Sequence, residues 1–218
     1  MSTYLAHEKT SLKRELAKTG FDLICRSHIA LEPLTFSFPT TNWVFFSSPK
    51  AIHVLASNSE NLMQLHSKKI GVLGAKTEKV LEQYGLKAEF VGGDAETKEV
   101  GKHFAKCLSS KDRVTFFIGN RSLKQVQQGL DPKQYEELIC YQTKLISTRN
   151  NSKFTFIHVS SPSQAVAVQQ TLSLNSESQI IAQGKSTENE LVRMGFKAIF
   201  PQDFSDASLL NLISKILV

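Results

Sequence analysis

A chain of 218 residues with 41% hydrophobic content can bury one large core or two modest ones, which excludes a disordered or fibrous protein. No apolar run approaches the roughly 20 residues of a helical membrane span. The 26 basic and 20 acidic residues give a net charge of +6, but basic residues often sit beside acids, as in Lys13-Arg14-Glu15 and Lys111-Asp112-Arg113; this predicts a solvated surface with a mild preference for an anionic partner, not a nucleic-acid groove.

In chain order, Thr3–Ala6 predicts a short strand, 8–18 an amphipathic helix carrying Leu12 and Leu16, Gly20 its stop, and 21–25 a second strand. The start MSTYLAHEKT does not read as a signal peptide. Trp43–Phe46 is a β-rich run ending at Ser47-Ser48-Pro49. A hydroxyl followed by proline starts a helix: Ser48 can cap it, and Pro49 takes the first helical position, where no N–H is missed. That helix turns Ala51, Ile52 and Leu55 inward. The next strand, 69–73, is closed by Gly74, and Thr77 opens a helix holding Val80, Leu81 and Tyr84, with Gly85 suited to its C′ position. A strand at 87–91, a helix at 97–108, a very apolar strand at 114–118 and a helix at 122–130 follow. The run 138–146 (LICYQTKLI) alternates and is rich in β-formers, with Tyr141 and Thr143 on one face. Beyond it come a strand at 154–159, a helix from Pro162, a strand at 179–182, a helix from Lys185 stopped by Gly195, a strand at 197–200 and a helix at 206–217. Short buried strands alternating with helices are the pattern of parallel β-α-β units.

The chain also repeats itself. Residues 70–92 return 110 positions later at 180–202 with Ile70, Gly74, Thr77, Glu78, Leu81, Gly85, Lys87, Ala88 and Phe90 identical to their counterparts, and Ser47-Ser48-Pro49 returns as Ser160-Ser161-Pro162. A period that long means a duplicated domain, not a solenoid. The second copy has no counterpart of the strand at 114–118 or its helix, so the N-terminal strands are predicted to supply the missing pieces. The predicted fold is α/β: two similar doubly wound parallel-sheet (flavodoxin-like) domains joined by a two-stranded hinge. Residues 1–35 with 144–218 make the discontinuous domain and 36–143 the inserted one, with crossings near 32–37 and 138–146.

Few residues carry an obvious chemistry. Gly184-Lys185-Ser186-Thr187 looks like the end of a phosphate-binding loop, but that loop needs a glycine where Gln179 stands, and Lys69 occupies the same place in the first copy. What survives is a pair of strand-to-helix turns ending in Gly-x-x-Thr, able to offer amide N–H groups to an anion or simply to start a helix. Neither Ser-Ser-Pro turn has the surroundings of a nucleophilic serine. The six histidines show no metal-ligand spacing, and Cys25, Cys107 and Cys140 form no CxxC pair, which reads as reduced thiols of a cytoplasmic protein with no metal site. All these turns fall at the carboxyl ends of predicted parallel strands, where open α/β sheets bind ligands, and a double hinge would turn both edges toward one cleft. Arg121, in the loop Gly119-Asn120-Arg121-Ser122 after the most apolar strand, is a candidate carboxylate clamp.

Taken in order, Phe46-Ser47-Ser48-Pro49, the Gly-x-x-Thr run at 74–85, Tyr141-Gln142-Thr143, Ser160-Ser161-Pro162 and the second Gly-x-x-Thr run at 184–195 resemble the uroporphyrinogen-III synthase family over essentially the whole chain. Ala6-His7-Glu8 stands where that family usually has Arg-Pro, so no N-terminal contact is carried over. The resemblance implies an enzyme without a cofactor that closes hydroxymethylbilane, a linear tetrapyrrole rich in carboxylates, to uroporphyrinogen III with inversion of the fourth ring and loss of water. It implies a monomer in transient contact with the synthase that supplies the bilane. By the same resemblance Tyr141 assists departure of the hydroxyl. Ser47, Ser48, Gly74, Thr77, Asn120, Arg121, Thr143, Ser160, Ser161, Gly184 and Thr187 then form the substrate-binding set. Two other readings fit the same turns: a non-catalytic hinged clamp for a small polyanion, which would not require Tyr-x-Thr on the hinge, and a paralogue that kept the fold and lost the activity.

Overall fold

The computed structural model describes residues 3–6, 14, 18, 22–25, 27–93, 96–146, 154–172, 178–201, 203 and 206–216. Of the predicted helix at 8–18, only residues 14 and 18 are among them; the rest, with Gly20, lies outside the described residues. The chain divides into two compact units, a discontinuous one of Met1–Ala30 with Lys144–Val218 and an inserted one of Leu31–Thr143.

The six-stranded sheet has the order β3-β8-β7-β4-β5-β6. Its strands are β3 (Ile29–Pro33), β4 (Trp43–Phe46), β5 (Lys69–Val72), β6 (Phe90–Val91), β7 (Val114–Gly119) and β8 (Tyr135–Leu145). From β6 to β8 every pairing is parallel. β3 runs against β8, since Leu34 N–H bonds to the Cys140 carbonyl beyond one end of β3 and Ile146 N–H to the His28 carbonyl beyond the other, 2.9 Å each, so the sheet is mixed. Every residue of β4 and β7 is buried, because helices cover both faces. On one face Val44, Phe46 and Phe117 meet Ala51, Ile52 and Leu55 of α1 (Pro49–Ala56) and Leu81 of α3 (Ala75–Glu82); α2 (Ser59–Leu65) adds Leu65. On the other, Trp43, Phe45 and Phe116 meet Val100 and Phe104 of α4 (Thr97–Cys107). The Phe45 ring centroid lies 4.8 Å from that of Phe104 and 5.0 Å from that of Phe116. Truncating a ring in such a cluster to alanine costs about 3–5 kcal/mol.

The discontinuous unit holds a five-stranded parallel sheet, β11-β10-β9-β1-β2, from β1 (Thr3–Ala6), β2 (Asp22–Cys25), β9 (Phe156–Val159), β10 (Gln179–Ala182) and β11 (Ala198–Ile199). Here β1 stands beside β9 where β7 stands beside β4, so the N-terminal strands take the places the second copy lacks. Ile157, Val159, Ile180 and Ala182 pack against Val168 of α5 (Pro162–Thr171) and Leu191 of α6 (Lys185–Arg193). Phe156 and Ile181 pack on Leu209 and Ile213 of α7 (Asp206–Ile216). Gly85 and Gly195 end α3 and α6 at φ of +71° and +83°, a backbone region that favours glycine.

One predicted element does not form. Residues 122–130 make no α-helix, only a 3₁₀ turn at Gln127–Gly129. A Cβ on Gly101 of α4 would fall 2.1 Å from the Val126 carbonyl oxygen, and one on Gly129 would fall 2.5 Å from the Gly101 carbonyl carbon. The two backbones touch, closer than a helix bearing side chains can approach. The predicted strand at 87–91 shortens to β6, and β8 begins at Tyr135, before the predicted run at 138.

Candidate functional site

In the inserted unit, β4, β5 and β7 run parallel, so the turns that leave them lie along one edge. β4 is followed by Ser47-Ser48, β5 by Leu73-Gly74, and β7 ends at Gly119 before Asn120. Ser48 has extended backbone (φ −152°) and caps α1, its hydroxyl accepting the Lys50 N–H at 3.3 Å. The same hydroxyl lies close enough to the Tyr141 phenol to bear on its ionisation. Asn120 grips the Tyr-x-Thr segment twice: its N–H donates to the Tyr141 carbonyl at 3.1 Å, and its side-chain Oδ1 accepts the Thr143 N–H at 3.0 Å. Tyr141 and Thr143 are both buried. Of the residues proposed from sequence, Asn120, Tyr141 and Thr143 are thus bonded together, with Ser48 nearby. Ser47 is half-buried beside Ser48, and Arg121 is exposed one residue beyond Asn120. Gly74 begins α3 with no side-chain cap, and Thr77 is buried one turn on, its N–H donated to the Gly74 carbonyl at 2.9 Å.

Burial is the main force on the Tyr141 phenol, and the neighbouring Cys140 thiol adds to it; against an opposing contribution from the nearby Ser48 hydroxyl, they push its pKa up to about 12. Burial likewise raises the Cys140 thiol to about 12. Tyr141 is therefore a neutral hydrogen-bond donor across the physiological range. Lys50 is held below the ordinary lysine value, first by burial and then by the charge of Lys76 in the first turn of α3. The first turn of α1 holds no acid and that of α3 holds Glu78 beside Lys76; positive charge at both helix starts suits an anion arriving at this edge. Sequence reasoning missed both lysines; a cation in the first turn of two adjacent helices is the signal that marks them.

The discontinuous unit carries the second set. Ser161 caps α5, accepting the Gln164 N–H at 3.4 Å, and its hydroxyl lies 3.2 Å from that of Ser163. Ser160 donates both its N–H and its hydroxyl to the buried Gln164 side chain, at 2.8 and 2.9 Å. Gly184, also uncapped by a side chain, begins α6, and Thr187 is buried with its N–H on the Gly184 carbonyl at 3.0 Å. In each unit the first amides of the Gly-x-x-Thr helix (Ala75 and Lys76; Lys185 and Ser186) have no intrahelical acceptor and face the helix start.

A separate groove of about 420 Å³ lies elsewhere on the inserted unit, between the extended segment 33–38, the end of α1 and the start of α2; none of the proposed site residues lines it. Among the described residues no three His, Cys, Asp or Glu side chains gather as a metal centre would need, and no helix is long and apolar enough to cross a membrane.

A family model described as "HEM4: Uroporphyrinogen-III synthase HemD" matches residues 10–211. Among solved structures, the chain is similar to the uroporphyrinogen-III synthetase of Helicobacter pylori 26695, with a TM-score of 0.73 and 15% identity over 99% of this chain and 100% of that one. It is also similar to a mutant uroporphyrinogen III synthase from the extremely thermophilic bacterium Thermus thermophilus, with a TM-score of 0.63 and 15% identity over 99% and 98% of the two chains. No curated protein matches it. Identities this low speak to fold alone, but the family model spans nearly the whole chain, and its match covers the serine turns, both Gly-x-x-Thr helices and the Tyr-x-Thr segment: the chain belongs to the uroporphyrinogen-III synthase family, hydro-lyases of tetrapyrrole biosynthesis.

Proposed function

We propose that this chain cyclises hydroxymethylbilane to uroporphyrinogen III, with Tyr141 as the group that acts on the departing hydroxyl. The observation that carries the reading is a neutral phenol, its pKa raised to about 12, beside Ser48 at the ligand-binding edge of an α/β sheet in a chain of this family. The neutral Tyr141 O–H donates a hydrogen bond to the bilane hydroxyl. The hydroxymethyl C–O bond breaks as a proton from solvent is relayed to the departing oxygen through that hydrogen bond, the pyrrole nitrogen lone pair fills in to give an azafulvene cation, and the oxygen leaves as water. The substituted carbon of the fourth ring attacks to form a spiro intermediate, which opens and recloses with that ring inverted. A pyrrole ring carbon then releases the proton that balances the charge. A phenol this reluctant to ionise assists by hydrogen bonding, so selectivity between isomers rests on positioning.

The carboxylates of the bilane are taken by the amides that open α3 and α6, by the serine turns, by Arg121 and by the Lys50–Lys76 pair. No cofactor enters these steps. The protein works as a monomer in the cytoplasm, a compartment that suits its three reduced thiols, and meets the bilane-forming synthase only transiently. The test is the isomer. Hydroxymethylbilane closes unaided to the symmetric type I ring, so purified protein added to freshly generated bilane is expected to shift the oxidised product to type III on chromatography. An unchanged ratio with folded protein in excess would replace the enzyme with a polyanion clamp.

A further inference from the structure

β7 and β8 pair in regular parallel register up to Ile118 opposite Ile139; the next pair is Gly119 opposite Tyr141, so Cys140 is an extra residue in β8. Its thiol points to the Ile118 carbonyl oxygen at 3.5 Å. An extra residue moves every later side chain to the other face of the sheet. Without it Cys140 would stand opposite Gly119, and Tyr141 would follow Ile139 onto the α4 face. With it, Tyr141 falls on the α1 face, among Phe46, Ile52 and Phe117 and within reach of Ser48.

The ring that arrives there packs directly against Gly119. A Cβ at this position would be 2.4 Å from Tyr141 Cζ, 2.5 Å from Cε2 and 2.7 Å from the hydroxyl oxygen. Ordinary van der Waals contact begins near 3.4 Å, so any side chain at 119 drives the ring back by about 1 Å (3.4 − 2.4). The Tyr141 backbone cannot follow freely, because the Asn120 N–H holds its carbonyl at 3.1 Å. The displacement must therefore appear at the phenol.

We propose that Gly119, together with the β-bulge at Cys140, is the positioning element for the Tyr141 hydroxyl, admitting the ring to the α1 face and setting where its O–H points. This rests on the catalytic reading of Tyr141. Gly119 touches no substrate; it acts through the tyrosine. A misplacement of about 1 Å in a reacting group can cost up to roughly 10²-fold in rate.

The experiment compares Gly119→Ala, Tyr141→Phe and the double variant by steady-state kinetics, with thermal unfolding alongside. Gly119→Ala is expected to lower kcat by about tenfold or more with KM within about twofold, and to add no further loss in the Tyr141→Phe background, where the ring still collides but no hydroxyl remains to be misplaced. A spectroscopic titration of tyrosine in Gly119→Ala is expected to show the highest-pH ionisation moving down from about 12, as the phenol is pushed out of its buried seat. If Gly119→Ala fails to fold, pairing it with Tyr141→Ser, which removes the ring, is expected to restore the fold; absence of rescue would overturn the collision as the cause. Wild-type kcat in folded Gly119→Ala, or an equal loss in both backgrounds, would also overturn the proposal. Full activity in Tyr141→Phe would instead defeat the catalytic reading on which it stands.

Discussion

Ser48 and Ser161 hold equivalent places in the two units: each follows a buried four-residue strand and caps a helix that begins at proline. Their partners differ. In the discontinuous unit the turn closes on itself, Ser160 onto Gln164 and Ser161 beside Ser163. In the inserted unit Ala51 and Lys50 stand where Gln164 and Ser163 do, and the Ser48 hydroxyl turns to Tyr141. Charge divides the same way. Lys185, at the start of α6, is paired with Glu188 at 2.8 Å, whereas Lys76, near the start of α3, acts on Lys50. One duplicated scaffold thus carries a self-satisfied turn that can offer amides alone and a second turn that holds the titratable chemistry.

The sharpest way to break this asymmetry is at the tyrosine. Tyr141→Phe keeps the ring against Gly119 and removes only the O–H. Positioned proton donors contribute about 10²–10⁴-fold, and water entering at the sheet edge can replace part of that, so a loss of about 10²-fold in kcat is expected with the circular dichroism spectrum unchanged. Full turnover would remove the inserted unit's claim to the chemistry, and loss of fold would make Tyr141 a core residue only.

The raised ionisations make a second prediction. Tyr141 at about 12 and Cys140 at about 12 both hold their protons in the folded protein at pH values where the unfolded chain has begun to lose them, from about pH 9 for the thiol and about pH 10 for the phenol. The unfolded state then binds fewer protons, so stability is complete below pH 9 and falls between 9 and 12. A shift of two units corresponds to about 2–3 kcal/mol for the tyrosine. Urea midpoints measured from pH 8 to 11.5 are expected to fall less steeply in Tyr141→Phe than in the wild type. Equal slopes would mean that the phenol is not buried against ionisation. The same shift predicts a kcat profile without a break near pH 10, where an ordinary tyrosine would ionise.

Much of this scaffold can be read along the chain. The apolar runs of β4 and β7, the Ser-Pro helix starts, the glycines after α3 and α6 and the internal repeat depend on local chemistry or direct comparison, and each appears at its predicted place. The helix read at 122–130 failed because its competitor is tertiary: nothing local announces that Gly101 and Gly129 will bring two backbones into contact. Strand periodicity correctly put Tyr141 and Thr143 on one face, but which face depends on the extra residue at Cys140, visible only once β8 is laid beside β7. The approach of Ser48 to Tyr141 spans 93 positions and the Lys50–Lys76 repulsion spans two helices. Sequence reasoning chose Ser48 and Tyr141 separately, by resemblance, and could not join them.

The smallest predicted effect tests the division of charge directly. Lys50 and Lys76 repel one another, and a substrate carboxylate received at this edge relieves that repulsion, so each lysine is expected to contribute to KM. Partly exposed charge contacts contribute about 1 kcal/mol, so Lys50→Gln or Lys76→Gln is expected to raise KM about fivefold, less at high salt, with kcat nearly unchanged. Lys185→Gln is expected to move KM by less than about twofold, because Glu188 already compensates that charge and surface pairs are weak. The pH dependence has a definite sign. Lys50 loses its proton below the ordinary lysine value, so the wild-type KM is expected to begin rising earlier than an isolated lysine would allow, and removing the Lys76 charge is expected to move that rise to higher pH. If all three glutamine variants raise KM alike, the positive charge serves both units equally, and the contrast between the two turns is one of hydrogen bonding only.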